Sequence, residues 1–140
     1  MTDTPRYTTV PGRIPALLAK IRQTAVPNKA TNAWLQSVGF SSSNDRSLIN
    51  VLKQIGFIDP SGVPQPAWQE YRGADYRAVL GRSLLTGYPM LYEVYEDAHN
   101  RSAEELANVL RTKTNTGKQA VEKMVATFKK LASEAEFGPV

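Results

Sequence analysis

The chain has 140 residues, no cysteine and a net charge of +4, and this is about the length of one domain with a buried core. The lack of cysteine excludes disulfides, thiolate metal sites and a cysteine nucleophile. No segment is apolar enough for a signal peptide or a membrane span, so we expect a soluble cytoplasmic protein without membrane contact.

The positive charge is concentrated in the first half of the chain. Residues 1–73 carry eight Lys/Arg against four Asp/Glu, whereas residues 74–140 carry nine of each. A basic surplus favours an anionic partner such as nucleic acid, because phosphate contacts release condensed counterions. The alternative interpretation is that +4 is an ordinary solubility charge.

The first elements in chain order are a tail and two helices. Residues 1–11 carry no periodic apolar pattern and are predicted to be a flexible tail. An amphipathic helix is then predicted to end before Val26–Pro27, because the residue preceding a proline is disfavoured in a helix. Its apolar positions recur at i, i+3, i+4 and i+7 and are Ile14, Leu17, Leu18 and Ile21. A short second helix is predicted from about Thr31 until Gly39, which can adopt φ > 0.

The third predicted helix runs from Asn44 to Ile55 and is followed by a hairpin. Ser42 or Ser43 can cap its start, and Gly56 marks its end. Phe57–Ile58 and Val63 are predicted to be two short strands joined by a turn at 59–62. Two helices joined by a tight turn and followed by a hairpin are typical of a winged helix, which we assign to residues 12–66.

The remaining residues, 67–137, are predicted to be a helical extension of the same domain. Ser102 and Glu105 have the spacing of a capping box, as do Thr116 and Gln119, which open the longest predicted helix. The predicted fold is therefore mainly α: a winged helix-turn-helix with a small β-hairpin, packed on a C-terminal helical half. Residues 12–137 are expected to form one domain.

The polar face of the third helix can meet the major groove of double-stranded DNA. Arg can pair with guanine and Asn with adenine, while Ser and Lys can hold phosphates. The candidate contacts are Ser43, Asn44, Arg46, Ser47, Asn50 and Lys53. Backbone contacts could come from Arg13, Lys20, Lys29 and Arg72. Against this hypothesis, an exposed helical face is usually polar, Asp45 lies at the helix start, and the predicted wing is neutral to acidic.

No catalytic, metal or cofactor motif is present in the sequence. His99 is the single histidine, and it lacks a neighbouring nucleophile or a glycine-rich oxyanion loop. We therefore expect no enzyme activity, no cofactor and no metal. An aromatic group between positions 68 and 95 suits core packing or a partner surface, so the alternative function is a protein interaction module or a homodimer. Its members are Trp68, Tyr71, Tyr88, Tyr92 and Tyr95.

The chain resembles a family of prokaryotic proteins catalogued only as a domain of unknown function. The resemblance spans about Val10 to Phe137 and rests on VPNKATNAWL, LINVLKQIGFIDPSGVPQPAWQEYRG and LLTGYPMLYEVYEDAH. It implies kinship and includes the pattern Tyr-x-x-Ala-His that ends at His99. No catalytic or binding residue comes with the resemblance. From the residues themselves we expect a non-enzymatic DNA-binding protein, such as a regulator.

Overall fold

The computed structural model describes residues 4–138, which are mainly helical and contain no β-strand. The α-helices are α1 (Ile14–Gln23), α2 (Asn32–Ser37), α3 (Leu48–Gln54), α4 (Pro66–Tyr71), α5 (Tyr76–Gly87), α6 (Pro89–Tyr92), α7 (Ala103–Lys113) and α8 (Lys118–Ser133). Short 3-10 turns lie at Pro11–Arg13, Ser43–Ser47 and Ala98–Asn100. The prediction of a mainly α fold is confirmed.

The first two helices follow the predicted pattern. The apolar stripe of α1 is buried along its whole length. At the start of α2, the side chain of Thr31 accepts a hydrogen bond from the backbone N–H of Trp34, which satisfies one of the free amides of the first turn. Gly39 has φ +101°, a conformation that L side chains rarely adopt, and it directs the chain away from the end of α2.

The third helix is shorter than predicted. Its expected first turn, Ser43–Ser47, is a 3-10 turn, and regular α-helix covers only Leu48–Gln54. Ser42 and Asp45 form a reciprocal capping box at the start of this turn. Turns of 3-10 type are common at helix starts, where capping side chains accept hydrogen bonds from the free amides.

The prediction of a β-hairpin, and with it the winged form of the fold, is wrong. Residues 57–64 form one isolated antiparallel bridge, between Ile58 and Pro64. Oδ1 of Asp59 accepts hydrogen bonds from the backbone N–H groups of Ser61 and Val63, each at 2.9 Å. Two backbone hydrogen bonds flank the bridge, from Asp59 to Val63 and from Gln65 to Phe57. The pairing extends no further, because the Asp59 carboxylate holds the Val63 amide and Pro64 has none to donate.

Helix α8 is the central element of the core. It packs against α1, α5 and α7, and against the 3-10 turns at 11–13 and 98–100. Phe128 is fully buried on α8, and its ring meets those of Tyr88 and Tyr92 at centroid distances of 4.8 and 6.1 Å. Elements from both halves of the chain therefore pack against the apolar face of α8.

The two predicted capping boxes of the C-terminal half have different outcomes. Ser102 and Glu105 make both reciprocal hydrogen bonds at the start of α7, as predicted. The box of Thr116 and Gln119 is wrong, because α8 begins at Lys118 with Gly117 as its N-cap. The Thr116 hydroxyl lies 2.8 Å from that of Thr114 instead.

The segment that precedes α1 lies extended between α3 and α8. Thr8 is fully buried, and its backbone N–H donates to the hydroxyl of Thr127 on α8 at 3.2 Å. On the other side, the backbone N–H of Arg6 donates to the Gln54 side chain at 2.7 Å. Residues 1–3 of the predicted tail lie outside the described residues.

The segment that follows α8 returns to the surface of α5. The backbone N–H of Glu136 donates to the carbonyl of Arg77 at 2.9 Å. Gly81 makes this approach possible, because a Cβ at this position would overlap the Glu136 carbonyl oxygen. Residue 81 must therefore be glycine for residues 134–138 to lie where they do.

We expect Gly81→Ala to lower the free energy of unfolding by about 1–2 kcal/mol, since the added methyl group overpacks a closed contact. Urea titration followed by circular dichroism measures this loss. Gly12→Ala is the matched control, because a Cβ at Gly12 meets nothing within 4 Å. Equal stabilities of the two variants would contradict the close contact.

Candidate nucleic-acid interface

The six predicted contact residues lie on the 3-10 turn and on α3. Four of them are exposed, and these are Ser43, Asn44, Arg46 and Asn50. Lys53 and Ser47 are half-buried. Neither Arg46 nor Lys53 forms an ion pair with another residue of the described range 4–138. The C-terminal half therefore leaves most of this polar face open to a partner.

Ser47 is already engaged within the fold. Its hydroxyl donates to the carbonyl of Asn44 at 2.9 Å and accepts from the backbone N–H of Thr9 at 3.1 Å. The Thr8 hydroxyl lies 2.7 Å away. One donor and two acceptor positions are all that a serine hydroxyl has, so Ser47 holds the N-terminal segment and has no remaining capacity for a phosphate.

Asp45 does not oppose an anionic partner as the sequence suggested. It is the only carboxylate between Gly39 and Ile58, and its side chain is 4% exposed. One oxygen accepts from the Nε of Arg13 at 3.3 Å, and the other accepts from the backbone N–H of Ser42 at 3.2 Å. The negative charge is therefore turned inward and neutralised by a guanidinium group.

The N-terminal segment adds a cation that sequence reasoning missed. Arg6 is exposed and lies beside Asn50, where the two residues share a shallow hollow with Tyr7, Thr9 and Ser47. We use the term helix-3 face for the exposed or half-exposed set Arg6, Ser43, Asn44, Arg46, Asn50 and Lys53. This set contains three cations and no carboxylate.

Two of the four cations proposed for backbone contacts have roles inside the fold. Arg13 pairs with Asp45, and its guanidinium lies 4.5 Å from the centre of the Phe40 ring. Arg72 donates from Nε to the carbonyl of Thr24 at 3.1 Å. Lys20 and Lys29 are exposed. The chain thus uses Arg13 and Arg72 to position loops.

Three of the five members of the aromatic group are buried in the core, and Tyr92 and Tyr95 are half-buried. Trp68, Tyr71 and Tyr88 are fully buried, in agreement with the core-packing interpretation. His99 is half-buried at the wall of a cavity in the C-terminal half, and its Nδ1 lies 3.0 Å from the hydroxyl of Tyr92. Within residues 4–138, no serine, threonine or lysine side chain forms a hydrogen bond to the ring.

Comparison with family models matches residues 6–139 to a "Family of unknown function (DUF5343)". No curated protein and no solved structure matches the chain. Among residues 4–138, no helix combines the length and the apolar character that crossing a bilayer requires. The resemblance identified from sequence motifs is confirmed by the family match.

Proposed function

Since the chain belongs to DUF5343, a family of unknown function, we propose a function from the geometry alone: the protein binds double-stranded DNA through the helix-3 face. The observation that carries the proposal is the charge of this face. Arg6, Arg46 and Lys53 are free of ion pairs with described residues, and Asp45, the one carboxylate between Gly39 and Ile58, is buried against Arg13. At the turn and helix between Gly39 and Ile58, phosphates would therefore meet positive charge without an exposed acid.

The arrangement of α2, the turn at 38–42 and the turn-plus-helix 43–54 supports the same proposal. In a helix-turn-helix, the second helix presents its first residues to the base edges in the major groove. Arg46 lies just before α3 and Asn50 within its first turn, so both can approach base edges together. Lys53, one turn further along, suits a phosphate. No wing takes part in this proposal, and Arg6 supplies the flanking cation.

We expect the wild-type protein to shift a pool of random duplexes at about 50 mM salt and to bind more weakly at about 200 mM. Arg46→Ala combined with Lys53→Ala should weaken binding by roughly tenfold or more, because two phosphate or base contacts are lost. The slope of log affinity against log salt should fall in magnitude by about 1–2 for the same reason. Band-shift titrations measure both quantities.

Lys118→Ala combined with Lys123→Ala is the matched control, because it removes the same charge from two exposed positions on α8. This control should bind DNA as the wild type does. The proposal fails if the wild type shows no shift at low salt. It also fails if the α8 pair weakens binding as much as the Arg46 and Lys53 pair.

A further inference from the structure

A cavity in the C-terminal half has the size of a small-molecule site. Its volume is about 640 Å³, and it lies between α5, the end of α6 with the residues that follow it, and the segment 134–138. Ligand pockets usually measure about 300–1,000 Å³ and are lined mainly by apolar and aromatic groups. Here the apolar wall comes from Ala78, Leu85, Tyr92 and Phe137. None of these residues belongs to the helix-3 face.

His99 is held rigidly in the wall of this cavity. Its ring stacks on that of Phe137, with centroids 3.6 Å apart and planes 3° apart. Its Nδ1 is 3.0 Å from the Tyr92 hydroxyl. Gly81 contributes indirectly, since it admits the segment that carries Phe137. The stacking therefore fixes the plane of the imidazole, and the hydrogen bond fixes the direction in which Nδ1 points.

The contacts of His99 leave one polar atom for a ligand. Burial raises the pKa of Tyr92, so this phenol keeps its proton and can donate it to Nδ1. Burial also lowers the pKa of His99 below its ordinary 6.5, although Asp97 acts in the opposite direction. A neutral ring that accepts at Nδ1 carries its proton on Nε2. Nε2 has no hydrogen-bond partner within residues 4–138.

The charges at the cavity disfavour an anionic ligand. Arg82, Glu96 and Glu136 line the cavity and are exposed. None of the three forms an ion pair with a residue of the described chain. One guanidinium and two carboxylates thus give the cavity entrance a net negative charge, which repels a negatively charged ligand.

We propose that this cavity binds a compact, uncharged aromatic molecule whose hydrogen-bond acceptor meets Nε2 of His99. The rings of Tyr92 and Phe137 pack against the ligand, and a hydrogen bond from Nε2–H orients it in the cavity. The volume is large enough for a bicyclic heteroaromatic ring. This inference is independent of the DNA-binding proposal, because it concerns different residues and is tested without DNA.

Three bicyclic probes separate the requirements of the site. Quinoline is uncharged at pH 7.5 and has an acceptor nitrogen, indole has only a donor N–H, and quinoline-2-carboxylate adds a negative charge. We expect quinoline to bind saturably and about tenfold more tightly than indole, the difference that one hydrogen bond makes. Quinoline should also bind more tightly than quinoline-2-carboxylate, because the two carboxylates at the cavity repel the added negative charge. Since His99 is the single histidine, NMR signals of the imidazole report binding at this position without ambiguity.

His99→Phe retains a ring to stack on Phe137 and removes both nitrogens, so it should bind quinoline about tenfold more weakly. Tyr95→Phe is the control, because Tyr95 lies outside the cavity lining, and it should leave the affinity unchanged. The proposal is overturned if quinoline does not shift the His99 signals saturably, or if it binds no better than the other two probes. These wild-type measurements decide the matter even if His99→Phe does not fold.

Discussion

Truncation of Phe128 to alanine will lower the free energy of unfolding by about 3–5 kcal/mol, the range for large buried aromatic residues. The side chain is fully buried and meets the rings of Tyr88 and Tyr92. Its removal leaves a cavity on the helix that contacts α1, α5 and α7, and these neighbours cannot all move in to fill it. Urea titration followed by circular dichroism gives the value.

Two further variants identify the origin of that loss. Phe128→Leu keeps most of the buried volume and should cost about half as much. Lys123→Ala lies on the same helix but is exposed, and it should change stability by less than about 0.5 kcal/mol. A loss below about 1 kcal/mol for Phe128→Ala would contradict the central position of this residue in the core.

Replacement of Asp45 by alanine is the second large effect, and we expect a loss of about 2–3 kcal/mol. The substitution removes the acceptor of the Ser42 backbone N–H and the partner of Arg13. Hydrogen bonds to a charged group are worth about 1.5–3 kcal/mol. The Arg13 side chain is 45% exposed, so its guanidinium can be hydrated once Asp45 is removed, which limits the loss of stability.

Asp45→Asn tests the two contributions separately. The amide oxygen can still accept from Ser42, while the charge opposite Arg13 is gone, so about half of the loss should remain. Thermal and urea unfolding of both variants provide the comparison. If Asp45→Ala unfolds at the same urea concentration as the wild type, the buried carboxylate does not anchor the turn that precedes α3.

Local chemistry explains which elements could be predicted from the sequence. Gly39 and Gly56 end their helices with φ +101° and +75°, and Ser102 caps α7 with groups only three residues away. Such contacts lie within one turn, so their spacing along the chain is sufficient to find them. The same spacing failed at Thr116, because α8 begins at Lys118 with Gly117 as its N-cap.

The hairpin and parts of the site depend on contacts that spacing does not encode. Asp59 was expected to form only a turn, yet its carboxylate also accepts a hydrogen bond from the Val63 amide of the returning chain. Arg6 reaches Gln54 across 48 positions, and Arg13 reaches Asp45 across 32. The close approach at Gly81 is equally invisible in sequence, since Glu136 is 55 positions away. These features become known only from the tertiary structure.

The position of α8 also bears on how the protein is made. During synthesis, α1 to α7 emerge from the ribosome before α8 does, and each of α1, α5 and α7 has part of its apolar surface opposite that helix. Until then, these surfaces remain open to water and to chaperones. The nascent chain therefore reaches a closed core only after residue 133 has been translated.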